Sequence, residues 1–417
     1  MLGRRKTHIT ALILIPLLLV ISVEFLIEPP TTLTTTLQTS STTTTTTANS
    51  AQNQTQSKDA AYDSLVRSLF NLVLKDTSNL RELPTPSNTA LQIVSISFFQ
   101  NREKQDVQRQ TKSINLEDIV YRALFLMPQN YSVGTARVAE AGKVLSAVAG
   151  TKLYIVKEYF NPENNNDARR TLAHEITHIL QSRFKQPKIT TFDQSQAWIA
   201  LIEGDADFTA DTYIKIYGPF AAGSAYTPIP NSLGRITSFP YSYGSSFVEA
   251  LYSKGGWSLV DTAYSRPPRS SKEILHPDVY LAGNSFIKVA ALTPRTGVWN
   301  TSWTNTGGEY FIRIMLENGV PADIAETAAK GWTGDNLTLF SRNNTYLVTW
   351  RISWETEADA SEFYQAYRAM LSNMGGEKVE PNLYHLLGHY VTVAKNGVVT
   401  EIISSTYQES VASFPAK

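Results

Sequence analysis

The residues best placed to do chemistry are His174, Glu175 and His178, in the stretch TLAHEITHIL from Thr171 to Leu180. The chain has six histidines and no cysteine, so a transition-metal site must be built from imidazoles and carboxylates. Two histidines four apart on a helix lie about 40° apart around it and one turn along it, so both rings reach one ion. Glu175 points towards the same cleft but off the ion, where it can take a proton from a metal-activated water. The competing reading of the pattern is an ordinary buried helix with polar caps. Ionisable groups turned towards an apolar face (Leu172, Ala173, Ile176, Ile179, Leu180) demand a partner, and a metal supplies one.

A third ligand is available in IALIEGDAD, which runs from Ile199 to Asp207. Glu203 presents a carboxylate 25 positions after His178 (203 − 178). Asp207, one turn beyond Glu203, is placed to accept a hydrogen bond from the other ring nitrogen of a ligand histidine, which fixes its tautomer. The acids Glu203, Asp205, Asp207 and Asp211 could instead form a solvated helix face. Periodicity puts Glu203 and Asp207 on one side and turns Asp205 away. Gly204 and Ala206 allow close helix approach. Two histidines and one carboxylate leave a fourth position open, as catalytic zinc sites do, whereas structural sites close all four.

These residues need rigid elements to hold them. KVLSAVAG and TKLYIVKEY, within Gly142 to Glu158, read as a strand pair turning near Gly150 and Thr151. Asp167 is a plausible cap for a helix over about Ala168 to Phe184, and Ser195 to Ile216 is a second helix. Ala60 to Leu74 and Leu116 to Met127 carry helical apolar spacing. From Pro240 the sequence reads as Tyr- and Gly-rich turns with short helices such as Phe247 to Ser253. Beyond Thr306 it reads as two helices, strands near Leu337 to Phe340 and Tyr346 to Ile352, a helix over Glu355 to Asn373, and a hairpin turning at Asn396 and Gly397. His385 and His389, without an intervening acid, read as a packed or surface helix end.

HExxH followed by a helical ExxxD resembles the thermolysin-like zinc peptidases, the gluzincins. More narrowly, AHEITHILQ, ALIEGDADF and RPPRSSKEILHPDVY are similar to a group of predicted prokaryotic metallopeptidases with EGDA and LHPxxY motifs. The resemblance covers about Val144 to Leu281, with a weaker echo in AAKGWTGDNLTLF and WETEADASEFYQAY. It implies zinc as the metal, held by His174, His178 and Glu203, with Glu175 as general base and Asp207 behind the ligands. It further implies a downstream His and a Tyr near the oxyanion; His276 is the first candidate and Tyr241 the next, with Tyr243 and Tyr280 behind them. In such enzymes a substrate chain adds to the edge strand above the HExxH helix, here Lys143 to Ala149 or Lys152 to Lys157. The chain departs from the pattern at Gln181, Ser182 and Arg183, which replace a more acidic continuation, and in a longer loop before Glu203.

Lys+Arg and Asp+Glu both total 37, which gives no net field to draw nucleic acid. Arg4, Arg5 and Lys6 precede an apolar run from Ile9 to Ile27, roughly 28 Å as a helix, long enough to anchor the chain with everything after it outside the cell. No small-residue cleavage site follows, so an uncleaved signal-anchor is the reading. His8 has no evident role. Thr31 to about Ser57 is Thr-rich and reads as an extended stalk, and sequons at Asn53, Asn130, Asn300, Asn336 and Asn343 fit an exported glycoprotein.

The expectation is an α+β ectodomain: anchor over 1–28, stalk over 29–57, gluzincin-like peptidase domain over 58–290 and a smaller α+β region over 291–417. Its partners would be a peptide or protein substrate and the membrane. The alternative is a cell-surface binding or scaffold protein with a structural zinc; Glu175, which such a site does not need, favours the enzyme.

Overall fold

A computed structural model describes residues 47–141, 144–218, 231–283, 286–295 and 298–411, with side chains from Ser57. The Ile9–Ile27 run, His8 and most of the expected stalk lie outside these residues. Among the described residues no helix is long and apolar enough to cross a membrane. The fold is α+β, as expected.

The described residues open with α1 (Thr47–Arg81), which starts inside the segment read as stalk. Next come β1 (Ala90–Val94), α2 (Ile96–Arg109), α3 (Thr111–Ala123) and α4 (Val133–Ala141). Strands β2 (Ser146–Ala149) and β3 (Lys152–Val156) form the expected antiparallel pair, with Gly150 in the turn at φ 60°. Strand β1 adds parallel to β3, so β3 is central and β2 is a free edge. A central strand must be apolar on both faces. Leu153 and Ile155 meet α1 and the next helix, α5 (Asn165–Gln181), while Tyr154 and Val156 meet Phe99 of α2.

Helix α5 begins after Asn164, not at Asp167; Asp167 sits in the first turn and accepts from the Asn164 amide at 2.6 Å. α6 (Phe192–Tyr217) is capped by Thr191, whose side chain accepts from the Gln194 N–H. α7 (Ser232–Ser265) replaces the turns expected from Pro240. Proline removes the N–H that would bond the carbonyl four residues back. Here that carbonyl, on Ile236, accepts from the Gln196 side chain of α6 at 2.6 Å, so the helix continues to a break at Gly255 and Gly256.

After α8 (Ser271–Leu275) and α9 (Pro277–Ala282) come β4 (Asn300–Asn305), α10 (Gly308–Leu316), α11 (Ala322–Lys330), β5 (Trp332–Arg342), β6 (Thr345–Trp354), α12 (Glu357–Asn373), β7 (Glu377–Glu380), β8 (Leu383–Leu386), β9 (His389–Asn396), β10 (Val399–Ser405) and α13 (Gln408–Val411). The seven strands form one sheet ordered β4-β5-β6-β10-β9-β8-β7. His385 and His389 are on strands, not a helix end: Leu386 pairs with His389 across a turn in which Leu387 and Gly388 both have positive φ. Trp350, Ile352 and Val393 on one sheet face share a continuous core with Phe363 and Met370 of α12, Phe311 of α10, and Leu201 and Phe239 of α6 and α7. The core therefore runs across the 290/291 boundary drawn from sequence.

Candidate metal centre

Helix α5 packs on the small sheet with α6 beside it, and the two helices bring together His174, His178 and Glu203. His174 Nε2 is 3.1 Å from His178 Nε2, and Glu203 Oε2 is 3.3 Å from the first and 3.5 Å from the second. Zinc bonds of about 2.0–2.2 Å at tetrahedral angles require ligand separations of roughly 3.3 Å. The three edges bracket that value.

The tautomers follow from the partners. His174 Nδ1 is 3.0 Å from Asp207 Oδ1, and an ionised carboxylate only accepts, so that nitrogen carries the hydrogen. His178 Nδ1 is 2.9 Å from Gln181 Oε1. The Gln181 amide is oriented by donating to the Ile202 carbonyl at 2.9 Å and to Asp205 Oδ2 at 3.2 Å, which turns its oxygen to the ring. In the neutral rings both Nε2 atoms are thus acceptors, facing each other and a carboxylate oxygen. Glu203 is 1% exposed, and neither of its oxygens has a hydrogen-bond donor of proper geometry. Three electron-pair donors converging in a buried space repel one another unless a cation or proton sits among them.

The field favours such a positive charge. Burial disfavours charge on the His174 ring, but Asp207 and then Glu203 outweigh it and hold its pKa well above the ordinary imidazole value. His178 is raised for a like reason, against burial and chiefly by Glu203. Burial raises Glu203 and Asp207, yet the histidines outweigh it and both carboxyls end below their usual values.

Around this trio, Glu175 Oε1 accepts from the Ser146 hydroxyl of β2 at 2.8 Å, which holds the expected base against the free edge strand. Tyr241 of α7 joins the cluster: its phenol pKa is driven far up by burial, then by the charges of Glu203, Asp207 and Glu175. α7 comes this close because Gly204 and Gly244 meet backbone to backbone; a Cβ on Gly204 would lie 2.2 Å from the Gly244 carbonyl. Gly204 thus serves the α6–α7 approach rather than that of α5.

His276 pairs with the C-terminal region: its Nε2 is 2.7 Å from Glu309 Oε1 of α10. Lys272 of α8 also reaches the C-terminal region, its Nζ donating to the Lys330 and Trp332 carbonyls and to Glu355. The Ser271 N–H donates to Asp193 of α6, and the Tyr280 hydroxyl donates to the Arg266 carbonyl within the same stretch.

A family described as a domain of unknown function (DUF8575) matches residues 295–411. No curated protein and no solved structure matches the chain. The matched span holds all of the seven-stranded sheet and none of the residues of the candidate centre.

Sequence reasoning did not single out Arg170, Gln181 or Ser146 as parts of the site. Arg170 donates to Asp207 at 3.0 Å and Asp211 at 2.8 Å, bracing the carboxylate behind His174. Gln181 could have been found from its place three residues after His178, on the same helix face. Ser146 carries no such signal, because a strand residue reaches Glu175 only through the sheet.

Proposed function

We propose that the protein is a zinc-dependent peptidase, anchored by its N-terminal apolar run with the catalytic residues outside the cell. The observation that carries this is the convergence of His174 Nε2, His178 Nε2 and the buried Glu203 Oε2 within 3.5 Å of one another, with Glu175 on the same helix as the two histidines. His174, His178 and Glu203 would hold the ion. When bound, zinc supplies Lewis acidity, which makes water acidic enough to act near neutral pH.

The chain's own residues do the rest. β2 offers its unpaired backbone edge to an extended substrate, giving affinity with little sequence preference. Glu175, between that edge and the ligands, takes the proton of the attacking water and returns it to the leaving amine. Tyr241, kept protonated by burial and its carboxylate neighbours, donates to the oxygen that gains charge. Asp207 and Gln181 hold the two rings in the Nδ1–H tautomer.

The test is cleavage of a mixed peptide library by the purified full-length chain, with and without a zinc chelator, with metal content measured in parallel. Cleavage that disappears on chelation and returns with zinc supports the reading. Cleavage indifferent to the chelator, or a chain that takes up no zinc, contradicts it.

A further inference from the structure

Arg81, at the end of α1, is wholly buried together with Asp205, 124 positions away in sequence. Its Nε and Nη2 donate to the two Asp205 oxygens at 2.7 and 3.1 Å, and Nη2 also reaches Asp261 at 2.6 Å. Trp257 stacks on the guanidinium at 4.3 Å. Asp205 further accepts from the Tyr264 hydroxyl at 2.7 Å and from Gln181 Nε2 at 3.2 Å, and Gln181 Oε1 faces His178 Nδ1 at 2.9 Å. An unbroken chain of buried polar contacts therefore runs from the end of α1 to one proposed ligand.

We propose that α1 is a structural part of the metal centre: Arg81, through Asp205 and Gln181, fixes the His178 ring in the orientation that binds zinc. This rests on the zinc reading above. Each link has one workable arrangement. Arg81 only donates and Asp205 only accepts, so Gln181 must turn its NH2 to Asp205 and its oxygen to the ring. Reversing that amide would leave a buried N–H against the His178 N–H and a carbonyl against a carboxylate. Gln181 and Asp205 are positioning residues, and Arg81 secures them. The same geometry opposes a role for α1 as a removable latency segment, because its loss would leave Asp205 without a buried cation and the relay without a fixed end.

The experiment measures the zinc dissociation constant of the full-length chain by competition with a chromophoric chelator, with cobalt substitution and its visible spectrum as a second readout. Gln181→Met, which fills the space but neither accepts nor donates, is expected to bind zinc about 10–100-fold more weakly and to shift the cobalt spectrum. Gln181→Glu keeps an acceptor for the ring but sets a carboxylate against Asp205 where the NH2 had donated, and is expected to bind zinc as weakly as Gln181→Met. Arg81→Lys keeps the charge but loses the two-pronged grip on Asp205, and is expected to fall between wild type and Gln181→Met. Wild-type zinc affinity in folded Gln181→Met overturns the relay, as does wild-type affinity in Gln181→Glu. Wild-type affinity in Arg81→Lys overturns the part given to α1. A wild-type chain that takes up no zinc overturns the metal reading itself, and the relay with it.

Discussion

The Ser146 hydroxyl donates to Glu175 Oε1 at 2.8 Å, tying edge strand β2 of the small sheet to the carboxylate that follows His174. One contact thus sets the place where a substrate backbone would pair against the group that would move the proton. Ser146→Ala is expected to leave zinc content unchanged and to lower kcat by roughly tenfold or less, since the carboxylate keeps its helix position and loses only its aim. Loss of zinc in this variant would contradict the arrangement.

Tyr241 and His276 separate by the structure into a site residue and a clasp residue. Tyr241→Phe is expected to retain zinc and lose about a hundredfold in kcat, the cost of one donor to the developing negative oxygen. His276→Ala is expected to leave kcat near wild type and to lower the melting temperature, because Glu309, which is buried, loses its partner at 2.7 Å. That loss costs about 1–3 kcal/mol. Kinetics and thermal unfolding of the two variants check the division, and a His276→Ala that is stable but inactive would reverse it.

The His174–His178–Glu203 cluster, with Asp207 behind it, was legible in the sequence because these residues are short-range patterns on two helices. What the sequence concealed depends on contacts between distant segments. The Arg81–Asp205 pair spans 124 positions. The continuity of α7 through Pro240 depends on an amide from α6, and the parallel pairing of β1 leaves no local trace in ALQIV. The His276–Glu309 contact joins segments 33 positions apart and has no local signature. Phe311 and Trp350 pack into the same core as Leu201 and Phe239, a union of distant segments that no local pattern shows.

Gly204→Ala tests the close approach of α6 and α7. A Cβ there would lie 2.2 Å from the Gly244 backbone, which no side-chain rotation can relieve. The expected result is a loss of at least about 2 kcal/mol by denaturant unfolding, together with a fall in kcat as α7 carries Tyr241 away. Unchanged stability would show that the helices are not in backbone contact.

Glu117 gives a pH prediction outside the site. Burial, with Asp118 adding to it and Arg137 opposing it, raises this carboxyl to about 8. An acid whose folded pKa lies above its unfolded value near 4.3 holds its proton more tightly in the native state, so stability falls as pH rises from about 4 to about 8. The penalty is complete above that. Glu117→Gln mimics the protonated form, so its melting temperature relative to wild type is expected to climb from pH 5 to pH 9. A difference that does not change with pH would contradict the assignment.

Glu175→Gln tests the central claim most directly, with zinc content and peptide turnover measured on the same preparations as wild type. Glutamine keeps the shape and the contact with Ser146 but cannot take a proton. The account predicts one zinc ion per chain in both proteins and turnover reduced at least about a hundredfold in the variant. Equal zinc content with equal turnover would contradict it.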